Sequence, residues 1–338
     1  MSTWIERWWR GEAGAAGTFA SAATLPAELA FRAAAAARDA AYSHALLHSV
    51  RVSVPVVSIG NLTVGGAGKT PFAAFIARRL ADTGHAPALL HGGYADDEPM
   101  LHRRWNPDIP VYAGRERAAS ARHAIAQGAT VLILDDGFQH RRLERDVDFV
   151  LVAAETWTSA PRLLPRGPWR EAPRALRRAT AIVITERTGV RTETRARIRR
   201  EIQLAAPNVP VCVAALQASG WRRGAHPGGR EPLGTVPREP TLAVAGIAHP
   251  ELFVRAARSA GAQIDDVMAF RDHHAYTAHD ARAIATRAAG RSIVTTAKDW
   301  IKLESMLDGT RVWILEQQVA IEEGGAILDA LLANLQSR

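Results

Sequence analysis

Residues 57–72, VSIGNLTVGGAGKTPF, restrict the architecture of this chain more than any other stretch. An apolar run, Val54 to Ile59, feeds a glycine-rich turn that ends in Gly68, Lys69 and Thr70. Beyond it Phe72, Phe75, Ile76 and Leu80 recur at helical spacing. The order is strand, loop, helix. In such a loop, here Thr63, Val64, Gly65, Gly66, Ala67 and Gly68, successive backbone NH groups converge on phosphate oxygens, and the new helix presents its positive end to them. Lys69 then reaches the outer phosphates and the Thr70 hydroxyl ligates magnesium. The strict spacing G-x-x-x-x-G-K-[ST] is not met, because Thr63 stands where the first glycine belongs.

The competing reading is a glycine-rich turn with a chance Gly-Lys-Thr. Lysine usage argues against it. The chain carries 42 Lys plus Arg, and its only lysines are Lys69, Lys298 and Lys302. A lysine inside this loop is therefore not filler.

At 338 residues the chain is long enough for two domains with real cores. A net charge of +8, nearly all from arginine, suits an acidic partner. That charge is scattered and no nucleic-acid-binding module is recognisable, which argues against nucleic acid. The single cysteine, Cys212, lies in the apolar run VPVCVAAL and reads as a buried structural thiol. No disulfide can form within the chain, which fits a reducing compartment.

No stretch is apolar for long enough to span a bilayer, since the best candidate is broken by Glu28, Arg32, Arg38 and Asp39. The opening MSTWIERWWR, if helical, places Trp4, Ile5, Trp8 and Trp9 on one face beside Arg7 and Arg10. That face suits the headgroup layer of a membrane, or an aromatic patch docked on the protein itself.

A helical region is expected at about 26–47. Strand-like runs then alternate with amphipathic segments: VPVVSIG, APALLHG, IPVYAG, ATVLILDDG, VDFVLVAA, TAIVITER and VPVCVAAL. Nearly all-apolar strands in this alternation predict an α/β fold with a parallel sheet covered by helices on both faces. The polar, Gly- and Pro-rich residues 220–240 read as a linker. Beyond them TLAVAGIA, VMAF, RSIVTTAKD and RVWILEQQVAI, with helices between and a last helix at about 323–336, form a second, smaller α/β unit. The division expected is 1–48, 49–219, 220–240 and 241–338.

Three acidic or histidine clusters have the chemistry for catalysis. Asp135 and Asp136 end an apolar strand, where an acid holds the magnesium of a bound nucleotide. HGGYADDEP presents Asp96, Asp97 and Glu98; a carboxylate of this kind can orient a hydroxyl and accept its proton, although acids in a loop are commonly solvated surface. FRDHHAYT carries Asp272, His273 and His274, poorly spaced for one metal ion but able to set a histidine beside a carboxylate.

Taken together and in order, GNLTVGGAGKTP, DDGFQHRRLERDVDFVLV, RLLPRGPWREAP, AGIAHPELF, FRDHHAYT and VTTAKDWIKL resemble the tetraacyldisaccharide 4'-kinases, lipid A pathway enzymes that phosphorylate a glycolipid at the cytoplasmic face of the inner membrane. The resemblance covers about residues 54–303, and that family keeps a threonine where Thr63 stands. It implies a phosphate-loop kinase fold, two α/β domains joined by a hinge with a cleft between them, ATP as donor, Mg2+ as cofactor, a glycolipid acceptor and peripheral attachment to the membrane surface. It implies Asp97 as the catalytic aspartate with His273 pairing from the opposite domain, so that the pair forms on closure. Lys69 and Thr70 would handle phosphate and metal, Glu98, Asp135 and Asp136 metal and water, and Arg117, His140, Arg170 and Glu171 would line the cleft.

Two departures stand out. The family's Ser-Arg-Gly-Tyr-Gly element and longer loop are replaced by HGGYA running almost directly into DDEP, and alanine and arginine take the place of bulky residues in the N-terminal helix. Two other functions keep the loop: an ATPase or ligase acting on a soluble substrate, and a nucleotide-binding membrane adaptor without transferase activity. A GTPase is disfavoured, because TTAKD lacks the spacing for guanine recognition. Lys298 and Asp299 are left as either active-cleft or structural residues.

Overall fold

The computed structural model describes residues 4–93, 96–187, 191–225, 229–236 and 238–335. Contacts divide the chain into two compact units, a larger one of residues 2–94, 106–215 and 321–338, and a smaller one of residues 95–105 and 216–320.

Along the chain the larger unit begins with three helices, α1 (Trp4–Trp9), α2 (Gly14–Ala23) and α3 (Leu25–Ser43). Then come β1 (Val56–Asn61), α4 (Lys69–Asp82) and β2 (Pro87–His91). The next helix, α5 (Asp97–Trp105), belongs to the smaller unit. The larger unit resumes with β3 (Val111–Ala113), α6 (Arg117–Ala126), β4 (Val131–Asp135), β5 (Val147–Ala153), β6 (Ala181–Glu186), α7 (Thr192–Ala205) and the first residues of β7 (Val211–Arg223), which from Leu216 on belongs to the smaller unit.

Its strands follow the order β3-β2-β4-β1-β5-β6-β7 and pair in parallel. Every residue of β1, β2, β4, β5 and β6 is buried, as apolar strands covered on both faces require. Ala121 and Ala124 of α6 close one cluster over Val56, Leu90 and Leu132, while Ile198 and Ile202 of α7 close another over Val150, Ile182 and Ile184. Neighbouring strands β4 and β1 send their connections in opposite directions, β1 towards β2 and β4 towards β5. The carboxyl ends at such a switch point are where open α/β sheets bind ligands.

Close approach there depends on Gly60. A Cβ at this position would lie 2.4 Å from the Cβ and 2.7 Å from the backbone nitrogen of Phe138. Phe138 sits in the turn after β4, whose Gly137 N–H donates to the Ile59 carbonyl at 2.9 Å. Gly60→Ala is expected to push this turn off β1, costing about 1–3 kcal/mol as an overpacked core does. Urea unfolding reads that loss.

The smaller unit comprises β8 (Pro240–Ala245), α8 (Pro250–Ser259), β9 (Gln263–Ala269), α9 (Ala278–Ala288), β10 (Ser292–Thr296), α10 (Ala297–Leu303) and β11 (Val312–Glu323), whose final residues pass back into the larger unit. Its strands run β11-β10-β8-β9, again in parallel. A closing helix, α11 (Gly325–Ala333), returns to the larger unit and is shorter than the expected 323–336, of which residue 336 lies outside the described residues.

Helix α5 joins the smaller unit through its apolar residues. Leu101 and Trp105 pack into the cluster that holds Leu242, Trp300, Ile301 and Leu303. The acidic stretch expected in the first domain thus folds with the second.

The described residues of 220–240 are also tied into the fold more closely than a linker. Trp221 continues β7, is fully buried, donates its indole N–H to the Ala260 carbonyl at 3.0 Å and bridges to Glu231. Residues 226–228 and 237 of this stretch lie outside the described residues. Cys212 is buried, with its Sγ 3.4 Å from the Gly324 carbonyl, and burial raises its thiol pKa.

The aromatic face of α1 divides. Trp8 is buried and donates to the Ser21 hydroxyl at 2.8 Å, and Trp9 donates to the Pro165 carbonyl at 3.0 Å, whereas Trp4 and Ile5 are exposed. Residues 1–3 of MSTWIERWWR lie outside the described residues. Among the described residues no helix is long and apolar enough to cross a membrane.

Candidate active site

The loop between β1 and α4 has the shape its glycines permit. Gly65 and Gly68 adopt left-handed backbone conformations at φ 103° and 82°, and Gly68 caps α4, so Lys69 and Thr70 open the helix. Two other segments hold the loop. Val64 N–H donates to the Pro168 carbonyl at 2.8 Å, Thr63 bridges to the buried Trp169, and Arg170 N–H donates to the Leu62 carbonyl at 2.7 Å. From the end of β6, the Thr185 hydroxyl donates to the Ala67 carbonyl and the Arg187 guanidinium to the Gly66 carbonyl, each at 2.9 Å.

Lys69 extends to the turn after β4. Its Nζ donates to Asn61 Oδ1 at 3.2 Å and lies 3.5 Å from Asp136 Oδ1. Asp136 also accepts from the Arg170 guanidinium at 3.0 and 3.1 Å. Burial raises the Asp136 pKa, but the charges of Lys69 and Arg170 outweigh it and hold the carboxyl below the usual range. Gln139 donates to the Asn61 carbonyl at 2.9 Å and to Glu171 at 3.1 Å, and Glu171 accepts from Arg178 at 2.8 Å. Arg178 in turn reaches Asp39 of α3 at 2.9 Å.

Asp135 is buried at the end of β4, Thr70 is buried in the first turn of α4, and Arg117 is buried at the start of α6. Oxygen donors of this kind, two carboxylates and a hydroxyl, suit a hard divalent cation, and the glycine loop with its lysine suits a polyphosphate. The structure thus brings together Thr63, Lys69, Thr70, Asp135, Asp136, Arg170 and Glu171 in one unit.

His140 follows in the same turn. Burial and the charges of Arg117, Arg145 and Arg38 push its pKa down to about 4, so the imidazole is neutral near pH 7. The unfolded chain then binds more protons than the folded one between about pH 4 and the ordinary histidine value near 6.5. Stability from this residue is full above that window and is lost as pH falls through it. A His140→Gln variant should show a smaller drop in urea midpoint between neutral and mildly acidic pH than the parent chain.

The second constellation lies in the smaller unit. Asp97 opens α5 and is buried, and His273 Nδ1 lies 3.1 Å from both of its carboxylate oxygens. The pair expected to form across two domains is therefore complete within one, because Leu101 and Trp105 anchor α5 beside α10. Lys302 donates to Asp97 Oδ2 at 3.3 Å, and Lys298 Nζ lies 3.9 Å from the same oxygen. Burial raises the Asp97 pKa, yet the His273 hydrogen bond and the charges of Lys298, His273 and Lys302 prevail and hold it far below the usual carboxylate range. Glu98, half-buried, follows in the same helical turn, and its N–H donates to Asp97 Oδ1 at 3.0 Å.

Among the described residues, four non-glycine residues take the left-handed conformation: Ala45, Asp136, His273 and Ala289. Two of the four, Asp136 and His273, are among the site residues expected from the sequence, and strained backbone of this kind gathers where surrounding structure fixes a functional side chain. The histidines of FRDHHAYT part ways: His274 contacts Asp280 at 3.2 Å and stacks on Phe270, a structural role. Asp299 is likewise structural, fully buried and accepting from Tyr276 at 3.0 Å and Thr296 at 2.7 Å. No metal-binding group of three or more His, Cys, Asp or Glu side chains occurs among the described residues.

Sequence reasoning missed Thr185, Arg187, Gln139 and Lys302. For Arg187 and Thr185 the available signal was their place at the carboxyl end of a buried parallel strand, the same edge of the sheet from which the loop leaves β1.

Residues 20–97 and 95–336 match the family model described as Tetraacyldisaccharide-1-P 4'-kinase, and the two matched stretches meet at the shortened loop before Asp97. A tetraacyldisaccharide 4'-kinase of Anaeromyxobacter dehalogenans (strain 2CP-C) is 38% identical over 360 residues, covering 96% of this chain and 93% of that protein. One of Syntrophus aciditrophicus (strain SB) is 38% identical over 313 residues, covering 82% of each. The crystal structure of "apo" form LpxK from Aquifex aeolicus in complex with ATP superposes with a TM-score of 0.73 at 26% identity, covering 93% of this chain and 98% of that one. With its loop, its strand-end aspartates and nearly its whole length matched, the chain belongs to the tetraacyldisaccharide-1-P 4'-kinase family.

Proposed function

We propose that this chain transfers the γ-phosphate of ATP to the 4'-hydroxyl of a tetraacyldisaccharide 1-phosphate, a lipid A precursor. The observation that carries the reading is the phosphate loop with Lys69 held between Asn61 and Asp136, in a chain of this family. Lys69 and the loop amides bind the phosphates. Asp97, oriented by His273, positions the acceptor hydroxyl and takes its proton late, as a loose phosphoryl-transfer transition state requires. Its low pKa suits that order, since a weak base accepts the proton only once the phosphoryl group has moved. Thr70, Asp135 and Asp136, all of the larger unit, are the groups that would hold Mg2+, which neutralises charge on the phosphates when bound. Arg117, His140, Arg170 and Glu171 of the same unit serve as orienting groups.

Attachment is peripheral, at the cytoplasmic face of the inner membrane. Exposed Trp4, Ile5, Phe19, Leu25 and Leu29 on the N-terminal helices support this reading. The helical region 1–48 is then the membrane-facing part.

The test is an incubation with magnesium, labelled ATP and a tetraacyl disaccharide monophosphate in mixed micelles. A bisphosphorylated lipid is expected. ATP binding without product would overturn the reading in favour of a soluble substrate or a non-transferring adaptor. Co-sedimentation with anionic phospholipid vesicles, reduced by Trp4→Ala with Phe19→Ala, checks the attachment.

A further inference from the structure

Two of the chain's three lysines converge on the Asp97–His273 pair, and both come from one short helix. Lys298 and Lys302 stand one turn apart on α10, at a spacing that puts them on the same face. The Lys298 ammonium lies 3.1 Å from His273 Nε2, 3.3 Å from Asp272 Oδ1 and 3.9 Å from Asp97 Oδ2. Lys302 Nζ donates to Asp97 Oδ2, lies 3.9 Å from Asp299 Oδ1 and sits over the Tyr276 ring at 5.4 Å.

An ammonium group has three donors and no acceptor. Lying against Nε2, it requires a lone pair there, so the ring proton must be on Nδ1, the atom that faces Asp97. We propose that Lys298 is a positioning residue that fixes His273 as its Nδ1–H tautomer, so that the imidazole donates to Asp97 while Nε2 is held by the lysine. Lys302 completes the arrangement by fixing the second side of the carboxylate.

The left-handed backbone at His273 and the Asp272 carboxylate, which accepts from the His273 N–H at 3.0 Å, hold the ring at the point where both contacts are made. The Asp97 hydrogen bond raises the His273 pKa, and burial and the Lys298 charge oppose it. Lys298 thus discourages the imidazolium that Asp97 would otherwise favour. Without it the ring is free to take a second proton or to exchange tautomers, and Asp97 loses a donor of fixed direction.

The effect on turnover rests on the proposed kinase reading, whereas the tautomer does not, so two readouts separate them. Nitrogen NMR of ring-labelled histidine, with the His273 signal identified from a His273→Asn variant, reports the tautomer of the protein alone at alkaline pH, where the imidazole is neutral. In the parent chain and in Lys298→Arg, which keeps a charged donor, Nδ1 should carry the proton. Lys298→Met should show a mixture of tautomers, with kcat for the lipid acceptor lowered about tenfold to a hundredfold, the range for loss of an orienting partner. KM for ATP should stay within about twofold, because Lys298 would act on the proton acceptor and not on nucleotide binding.

Lys298→Arg should recover a good part of that kcat. A His273 that keeps a pure Nδ1–H signature in Lys298→Met would overturn the proposal, as would an Nε2–H signature in the parent chain. A rise in KM for ATP with kcat unchanged would also overturn it, by placing Lys298 in nucleotide binding. An inactive parent chain with the expected tautomer would count against the kinase reading alone.

Discussion

Asp97→Asn should lower kcat about a hundredfold to ten-thousandfold while ATP binding persists, the range lost when a positioned proton acceptor is removed. The substitution keeps shape and hydrogen-bonding capacity but removes the negative charge on which His273, Lys298 and Lys302 converge. An asparagine amide cannot accept a hydroxyl proton, and it leaves two lysines beside a neutral group. The loop that carries Lys69 belongs to the other compact unit, so nucleotide affinity is a separate measurement. Lipid product followed in micelles, beside a fluorescence titration with ATP, gives both quantities on one preparation. Undiminished product would remove Asp97 from the mechanism and transfer its role to Glu98 or Asp96.

Lys69→Met should weaken ATP binding and turnover together, with kcat/KM lower by about a hundredfold to a thousandfold, as when one preorganised charge at a transferring phosphate is lost. The fold should survive. Asp136 keeps its two contacts to Arg170 when Lys69 is gone, so no buried carboxylate is left without a cation. Asn61 loses one donor, yet it stays fixed in a strand paired on both sides. Thermal melting close to that of the parent chain, with activity nearly abolished, is the expected combination. A large fall in melting temperature would instead make Lys69 a structural residue.

The parts of the site legible in the sequence were those built by neighbours in the chain. A buried strand, a glycine turn and an amphipathic helix follow one another in residues 54–80, and the structure assembles them in that order. Asp135 and Asp136 were legible for the same reason, as the end of an apolar strand.

What supports the loop was not legible. Thr185 and Arg187 hold it from more than a hundred residues away, and no periodicity announces a contact at that separation. The stretch RLLPRGPWREAP identified the family, but its task of backing the loop through Pro168, Trp169 and Arg170 appears only once the chain is folded.

The unit to which Asp97 belongs was the largest difference from expectation. Three consecutive acids after a glycine turn look like solvated loop, and the alternation of strands on either side draws the segment into the first domain. Leu101 and Trp105 decide otherwise by burying themselves against Trp300 and Leu303, and a nine-residue helix has too few apolar positions to reveal its partner from spacing alone. Lys298 stood out as a rarity in composition but was left open between the active cleft and a structural role, and its meaning depends on a distance of 3.1 Å to an imidazole in another element.

That rarity gives the chain a built-in reporter. An endoprotease that cleaves only after lysine has three sites here, at Lys69, Lys298 and Lys302, and their side chains are 13%, 18% and 16% exposed. In the native protein each scissile bond lies in a helix packed around a charge network, so digestion requires local opening at the phosphate loop or at α10. Fragment patterns therefore read the opening of two chosen places with no engineered label, and nucleotide should slow the cut at Lys69 independently of the cuts at Lys298 and Lys302.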